Sequence, residues 1–131
     1  MAKTIKQSVK FSASSQRLFN IYMDSRRHGV PTNSRASVSR KVGGKFSAFD
    51  GALTGRMLAI VPNRMIVQTW RGSNWKKSDP DSILILTFSK APGGTRVNLV
   101  HANIPDPRHA SIQKGWTTYY WKPWRTYLRR R

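Results

Sequence analysis

At 131 residues, 38% of them hydrophobic, the chain has material for one domain with a single core and no need of disulfide or metal staples. It contains no cysteine, which excludes disulfides, thiolate zinc sites, iron–sulfur clusters and cysteine nucleophiles. Charged residues are an ordinary 22%, but 24 are Lys or Arg, five are Asp and none is Glu, so the formal net charge is +19 and the partners it favours are polyanions.

The opening MAKTIKQSVKF carries no apolar core of the kind a secretory leader needs, and no apolar run approaches the ~18 residues of a membrane span, so a soluble cytoplasmic protein is expected. Ile5, Gln7, Val9 and Phe11 alternate with Lys6, Ser8 and Lys10, the period of a half-buried strand. SASSQ then supplies hydroxyl caps for a helix with Leu18, Phe19, Tyr22 and Met23 on one side. A short second helix is expected from Asp24 to His28, stopped by Gly29 and Pro31. Six strand-like runs follow, at 36–41, 45–49, 52–61, 64–71, 82–89 and 95–102, punctuated by Gly43-Gly44, Asp50-Gly51, Pro62-Asn63, Lys77 to Pro80 and Pro92-Gly93-Gly94. Asp50-Gly51 predicts a two-residue type I′ hairpin, because both central positions of that turn need positive φ. The order is that of an antiparallel meander in a single domain, residues 1–131, with no repeat or linker.

Asp106-Pro107 reads as an N-cap and a first-turn proline, and a long C-terminal helix begins there. At ~100° per residue, Ile112, Trp116, Tyr119, Tyr120, Pro123, Trp124 and Tyr127 share an arc of roughly 140°, which Leu128 and Trp121 extend to about 200°. An apolar stripe that broad has to be covered on its flanks as well as beneath. A curved antiparallel sheet of about six strands wrapped around the helix meets that demand, which makes the fold α+β. Pro123 near the middle of the arc removes a hydrogen bond and pushes on the carbonyl of Tyr119, so a local bend is expected. Bulky rings that nest imperfectly between helix and sheet leave an apolar pocket, for which Phe46, Trp70, Phe88, His101, Trp116, Tyr120 and Tyr127 are the candidate lining residues.

Four blocks, GGKFSAFDG (Gly43 to Gly51), TGRMLAIVPNRMIVQTWR (Thr54 to Arg71), LTFSK (Leu86 to Lys90) and GWTTYYWKPW (Gly115 to Trp124), resemble in order and spacing the C-terminal domain of the activators of the heat-shock protein 90 ATPase and its stand-alone bacterial relatives. That domain is of the SRPBCC, or START-like, helix-grip superfamily. The resemblance implies a curved antiparallel sheet gripping the last helix, with two short helices closing a cavity. It also implies structural rather than catalytic roles for Gly43, Gly44, Asp50, Gly51, Trp70, Trp116, Tyr120 and Trp121, and ligand binding more often than chemistry, although some wider relatives act as cyclases. Co-chaperone activity in the family draws on a further N-terminal domain, and relatives are usually rich in glutamate.

The supply of catalytic groups is thin. Asp24, Asp50, Asp79, Asp81 and Asp106 all fall in predicted turns or caps. His28, His101 and His109 lack metal-binding spacing, and no nucleophile elbow or phosphate loop occurs, so neither a metal nor a cofactor is expected. His101, at the end of a strand in NLVHANIP, is placed at the cavity rim, with a satisfied or solvated imidazole as the plainer reading.

Three readings of function stand on these residues. The first is a non-enzymatic helix-grip domain, monomer or weak dimer, that holds a hydrophobic small molecule. The second is a basic protein that contacts nucleic acid or another polyanion through Lys114, Lys122, Arg125, Arg129, Arg130 and Arg131, with a chaperone-associated role as a further alternative on the same fold. The third concerns the surface alone: ordinary charge density with scattered cations and no glutamate is what replacement of carboxylates by Lys and Arg produces, as in supercharging for solubility.

Overall fold

In a computed structural model of the protein, residues 2–129 are described. Seven strands, β1 (Ala2–Phe11), β2 (Ser37–Val38), β3 (Lys45–Ala48), β4 (Leu53–Val61), β5 (Met65–Gly72), β6 (Ser82–Ala91) and β7 (Gly94–Pro105), form one curved antiparallel sheet in the order β1-β7-β6-β5-β4-β3-β2. Register shifts between Lys3 and Ile5 on β1 and between Met57 and Ala59 on β4 are bulges, which strengthen twist and curl. The inner face is apolar and buried: Phe46, Met57, Ile66, Trp70, Leu84, Leu86, Phe88, Val97 and Leu99 are all under a tenth exposed.

Two short helices close one end of this trough. In α1 (Ser15–Met23) the Ser14 hydroxyl accepts the Arg17 N–H at 3.1 Å, and the apolar side, Leu18, Phe19, Tyr22 and Met23, is buried as the spacing predicts. Asp24 caps α2 (Ser25–Thr32) through the Arg27 N–H at 3.0 Å. Contrary to expectation, α2 runs through Gly29 and Pro31. A Cβ on Gly29 would meet the Ser34 carbonyl oxygen at 2.3 Å, so this glycine permits a close backbone approach instead of ending the helix.

The strand expected at 36–41 shrinks to Ser37–Val38, because the chain turns at once: Ser39 N–H reaches Lys45 O and Gly44 N–H reaches Lys41 O, both at 3.0 Å. The β3–β4 hairpin is also looser than a two-residue turn. Ala48 pairs with Leu53 across four residues, and Phe49, Asp50 and Gly51 all have positive φ (52°, 58° and 92°). Asp50 fastens the loop by accepting the Arg35 N–H at 2.9 Å and donating its own N–H to Arg35 O at 3.0 Å.

The C-terminal segment fills the trough. Asp106 is not an N-cap: residues Asp106–Arg108 form a 3₁₀ turn, and the carboxylate faces Lys3 Nζ at 3.3 Å. Then come α3 (His109–Trp116), a π-helical turn (Thr117–Trp121) and α4 (Lys122–Leu128). The π turn is the answer to Pro123. Its ring would press on the carbonyl four residues back, and one wider turn, closed by Lys122 N–H to Thr117 O, removes the conflict without breaking the helix. The wider turn also rotates the side chains on either side of it relative to one another. Tyr119, expected in the buried arc, is 57% exposed, while Trp121, expected at the arc's margin, is 3% exposed. Trp116 and Trp121, five residues apart, stack at 5.6 Å and 22°. Gln7 on β1 holds both sides of this turn: its Oε1 accepts Trp121 Nε1–H at 2.7 Å and its Nε2 donates to Gln113 O at 3.0 Å.

Candidate functional site

Between the hairpin loop and the C-terminal segment lies a cavity of about 390 Å³. One wall is Phe49, Ala52 and Leu53; Trp70 lies on the sheet side; Ser111, Ile112, Gly115, Trp116, Tyr119 and Tyr120 come from α3 and the π turn. The exposed Tyr119 ring sits edge-on to Phe49 at 5.7 Å, and the two mark the mouth. The volume falls in the range that takes a small organic molecule.

The polar ends of Trp116 and Tyr120 are engaged behind the cavity wall. Trp116 Nε1–H donates to His101 Nδ1 at 3.1 Å, which leaves the proton of that imidazole on Nε2, facing the Ser82 hydroxyl at 2.8 Å; Ser82 in turn donates to the Trp70 carbonyl at 2.6 Å. The Tyr120 hydroxyl donates to His28 Nε2 at 2.8 Å, and His28 Nδ1–H donates to the Tyr22 carbonyl at 2.7 Å. Tyr22 donates to Gln68 Oε1 at 2.5 Å. Each histidine is therefore locked in one tautomer. Burial holds both neutral: it lowers His28 to about 4, against a smaller opposing contribution from the Tyr22 carbonyl, and lowers His101 to about 3. Burial likewise raises Tyr120 and Tyr22 above the ordinary phenol range. The cavity thus presents ring faces backed by satisfied hydrogen bonds at Trp116 and Tyr120, while the buried Trp70 Nε1–H has no partner among the described residues. Among the described residues no carboxylate or imidazole lines it.

Of the seven candidate lining residues, Trp70, Trp116 and Tyr120 meet in this cavity. Phe46 packs elsewhere, stacked on Tyr22 at 5.7 Å, and Phe88 stands edge-to-face with Phe19 at 5.9 Å. His101 is fully buried behind the Trp116 wall, not on a rim. Tyr127 lies half-buried in a separate shallow groove with Val30, Pro31 and Pro123. Phe49, Leu53 and Ile112 line the cavity but were outside the sequence expectation, since a loop residue with positive φ and a half-buried helix position carry no signal of a shared wall.

Of the cations named from the sequence, Lys122 and Arg125 are exposed on α4, Arg129 is exposed just past its end, Lys114 is exposed on α3, and Arg125 lies over the Phe11 ring at 4.8 Å. Arg130 and Arg131 lie outside the described residues. Asp79 and Asp81 serve the β5–β6 connection: Asp79 accepts the Lys76 N–H at 3.0 Å, and Asp81 meets Arg71 at 3.3 Å. Among the described residues no three His or Asp side chains gather as a metal site would require, and no helix is long and apolar enough to cross a membrane.

A family model described as "Activator of Hsp90 ATPase homolog 1-like protein" matches residues 12–128. The human "Activator of 90 kDa heat shock protein ATPase homolog 1" is 29% identical over 119 residues, 91% of this chain and 34% of that protein. The Dictyostelium discoideum homolog is 28% identical over 114 residues, 87% of this chain and 30% of its own length. This chain therefore spans about a third of the length of these curated relatives. A crystal structure of an HSP90 activator from Plasmodium falciparum matches with a TM-score of 0.89 at 27% identity, covering 95% of each chain. An X-ray structure of a protein from Mesorhizobium loti, 19% identical with a TM-score of 0.79 and covering 92% of this chain and 93% of its own, has the same fold. With the family model spanning both short helices, the sheet from β2 to β7 and the aromatic C-terminal segment, the chain belongs to the family of Activator of Hsp90 ATPase homolog 1-like proteins.

Proposed function

We propose that this domain works in the cytoplasm as a non-enzymatic binder of a hydrophobic small molecule, held among Phe49, Trp70, Trp116 and Tyr120. The observation that carries the reading is the cavity of about 390 Å³ with aromatic walls, in which Trp116 and Tyr120 commit their polar atoms to His101 and His28 behind the wall. An apolar ring entering it strands neither the Trp116 nor the Tyr120 donor, so its transfer from water is favourable. Both imidazoles that adjoin the walls are neutral and committed at each nitrogen, which withholds them from acid–base work.

Gly115 provides a direct test. It sits inside α3, where glycine costs roughly 0.5–1 kcal/mol relative to alanine. The backbone does not demand it, since an added Cβ would meet nothing nearer than the Tyr119 ring at 3.6 Å. What its missing side chain does is leave space in the cavity. Gly115→Ala is expected to raise stability by about 0.5–1 kcal/mol. Gly115→Leu is expected to abolish saturable binding of a neutral fluorescent probe such as Nile red while the protein stays folded by circular dichroism. Binding that never saturates in the parent chain, or that survives in Gly115→Leu, overturns the reading.

A second reading, association with a chaperone, is favoured by the Plasmodium falciparum protein, which is called an HSP90 activator and matches this chain over 95% of each. Its test is the ATPase rate of purified Hsp90 with and without this chain; an unchanged rate at saturating concentrations and low salt counts against it.

A further inference from the structure

Among the described residues the helices occupy only the inner side of the sheet, and the middle of the outer side carries an apolar band bordered by Thr69, Thr87 and Asn98. Ala59, Val67, Ile85 and Val100 are cross-strand neighbours in one row over β4, β5, β6 and β7, all facing outward and none fully buried. Val61 and Met65 lie to one side of that row, Ile83 and Ala102 to the other. A solvated antiparallel sheet face is normally polar, so the run SILILTF in β6 has the composition of a strand covered on both sides.

The rim of this band carries one sign of charge. Lys6 stands beside Val100, and Lys10 is the direct cross-strand partner of Arg96. On the opposite flank Lys45 is the direct partner of Arg56. Like charges placed opposite each other destabilise a sheet, and here two such pairs stand with no acidic side chain on either strand. All five aspartates sit in turns, caps or the 3₁₀ segments.

We propose that this outer face is a docking surface for a second protein whose contact patch is an apolar stripe flanked by carboxylates, as on an acidic amphipathic helix. Four strands at ~4.8 Å spacing give a band about 14 Å across, which suits a helix about 10–12 Å in diameter lying between the flanking cations. Carboxylates on the partner relieve both like-charge pairs. Nucleic acid fits poorly, since a phosphate backbone crossing the face would lie on hydrocarbon. A second copy of the chain fits poorly too, because each carries a formal +19.

The experiment uses a synthetic helix of about five turns with a leucine stripe and flanking glutamates, compared with polyglutamate of the same length, the same helix carrying lysines, and an RNA oligonucleotide. At physiological salt the leucine–glutamate helix is expected to bind saturably and to shift amide resonances on β4 to β7. The double change Val67→Thr with Ile85→Thr, which keeps strand-forming residues, is expected to weaken it about tenfold and leave polyglutamate unaffected. Lys10→Gln with Lys45→Gln is expected to weaken both and to flatten the salt dependence. The proposal fails if polyglutamate or RNA binds as tightly as the amphipathic helix, if the shifts fall on α4 or the cavity mouth, or if rising salt makes the chain pair with itself through this face. The shift map and the charge variants decide the matter even if the threonine variant folds poorly. None of these outcomes bears on the cavity, whose probe enters from the other side of the sheet.

Discussion

Near pH 5 the protonation of His28 and His101 is expected to lower the stability of the domain by roughly 2–3 kcal/mol per pH unit. Both are buried, at 1% and 0% exposure. Burial holds His28 at about 4 and His101 at about 3, against about 6.5 for an imidazole in the unfolded chain. Between those values the unfolded state takes up protons that the folded state refuses, so stability is complete above about pH 6.5, drains as pH falls from there, and the loss levels off below about 4 for His28 and about 3 for His101. The loss accumulated by pH 4 is on the order of 5 kcal/mol, comparable with the whole stability of many domains. Carboxylates usually dominate acid denaturation, but this chain has five aspartates and no glutamate. Urea midpoints followed by tryptophan fluorescence at intervals from pH 7.5 to 4.5 measure the slope. Replacing one imidazole, as in His28→Gln, lowers stability at pH 7, yet the quantity to read is the slope, which is expected to drop by about half. A variant whose midpoints run parallel to the parent's down to pH 4.5 would show that the imidazole was not the group responsible.

Much of this arrangement was legible from spacing and turn chemistry. The inward side chains of β1, β5 and β7 repeat every second residue, and Ser14 and Asp24 cap their helices as short polar residues do. What spacing concealed came from contacts distant in sequence. Phe49 reaches the cavity only because the loop takes three left-handed residues in succession, and nothing in the composition of Phe49 announces that. Phe46 and Phe88 have the right character and the right face, yet α1 and α2 cover them before the cavity begins. His28 pairs with Tyr120 from 92 residues away. The outer apolar band is hidden for a different reason: the four consecutive apolar residues of β6, Ile83 to Leu86, are equally compatible with a buried strand and with a face awaiting a partner.

Trp124→Ala is expected to cost about 3–5 kcal/mol, whereas Tyr119→Ala is expected to cost under about 0.5 kcal/mol, although ideal helical periodicity puts both residues in the same apolar arc. The difference is the work of the π turn, which contains Tyr119 and ends before Trp124. Trp124 is 1% exposed, with Phe11 at 5.7 Å and Trp121 at 5.3 Å, while Tyr119 keeps 57% of its surface in solvent and touches Phe49 only at the cavity mouth. Trp124 also holds a buried Nε1–H that has no hydrogen-bond partner among the described residues. Trp124→Phe removes that stranded donor together with part of the ring, so the two effects oppose and a loss of only about 1–2 kcal/mol is expected. Chemical denaturation of the three variants measures the set. If Tyr119→Ala proved as damaging as Trp124→Ala, the C-terminal segment would have to run as a regular helix past Pro123, with Tyr119 turned into the trough and the cavity closed by its ring.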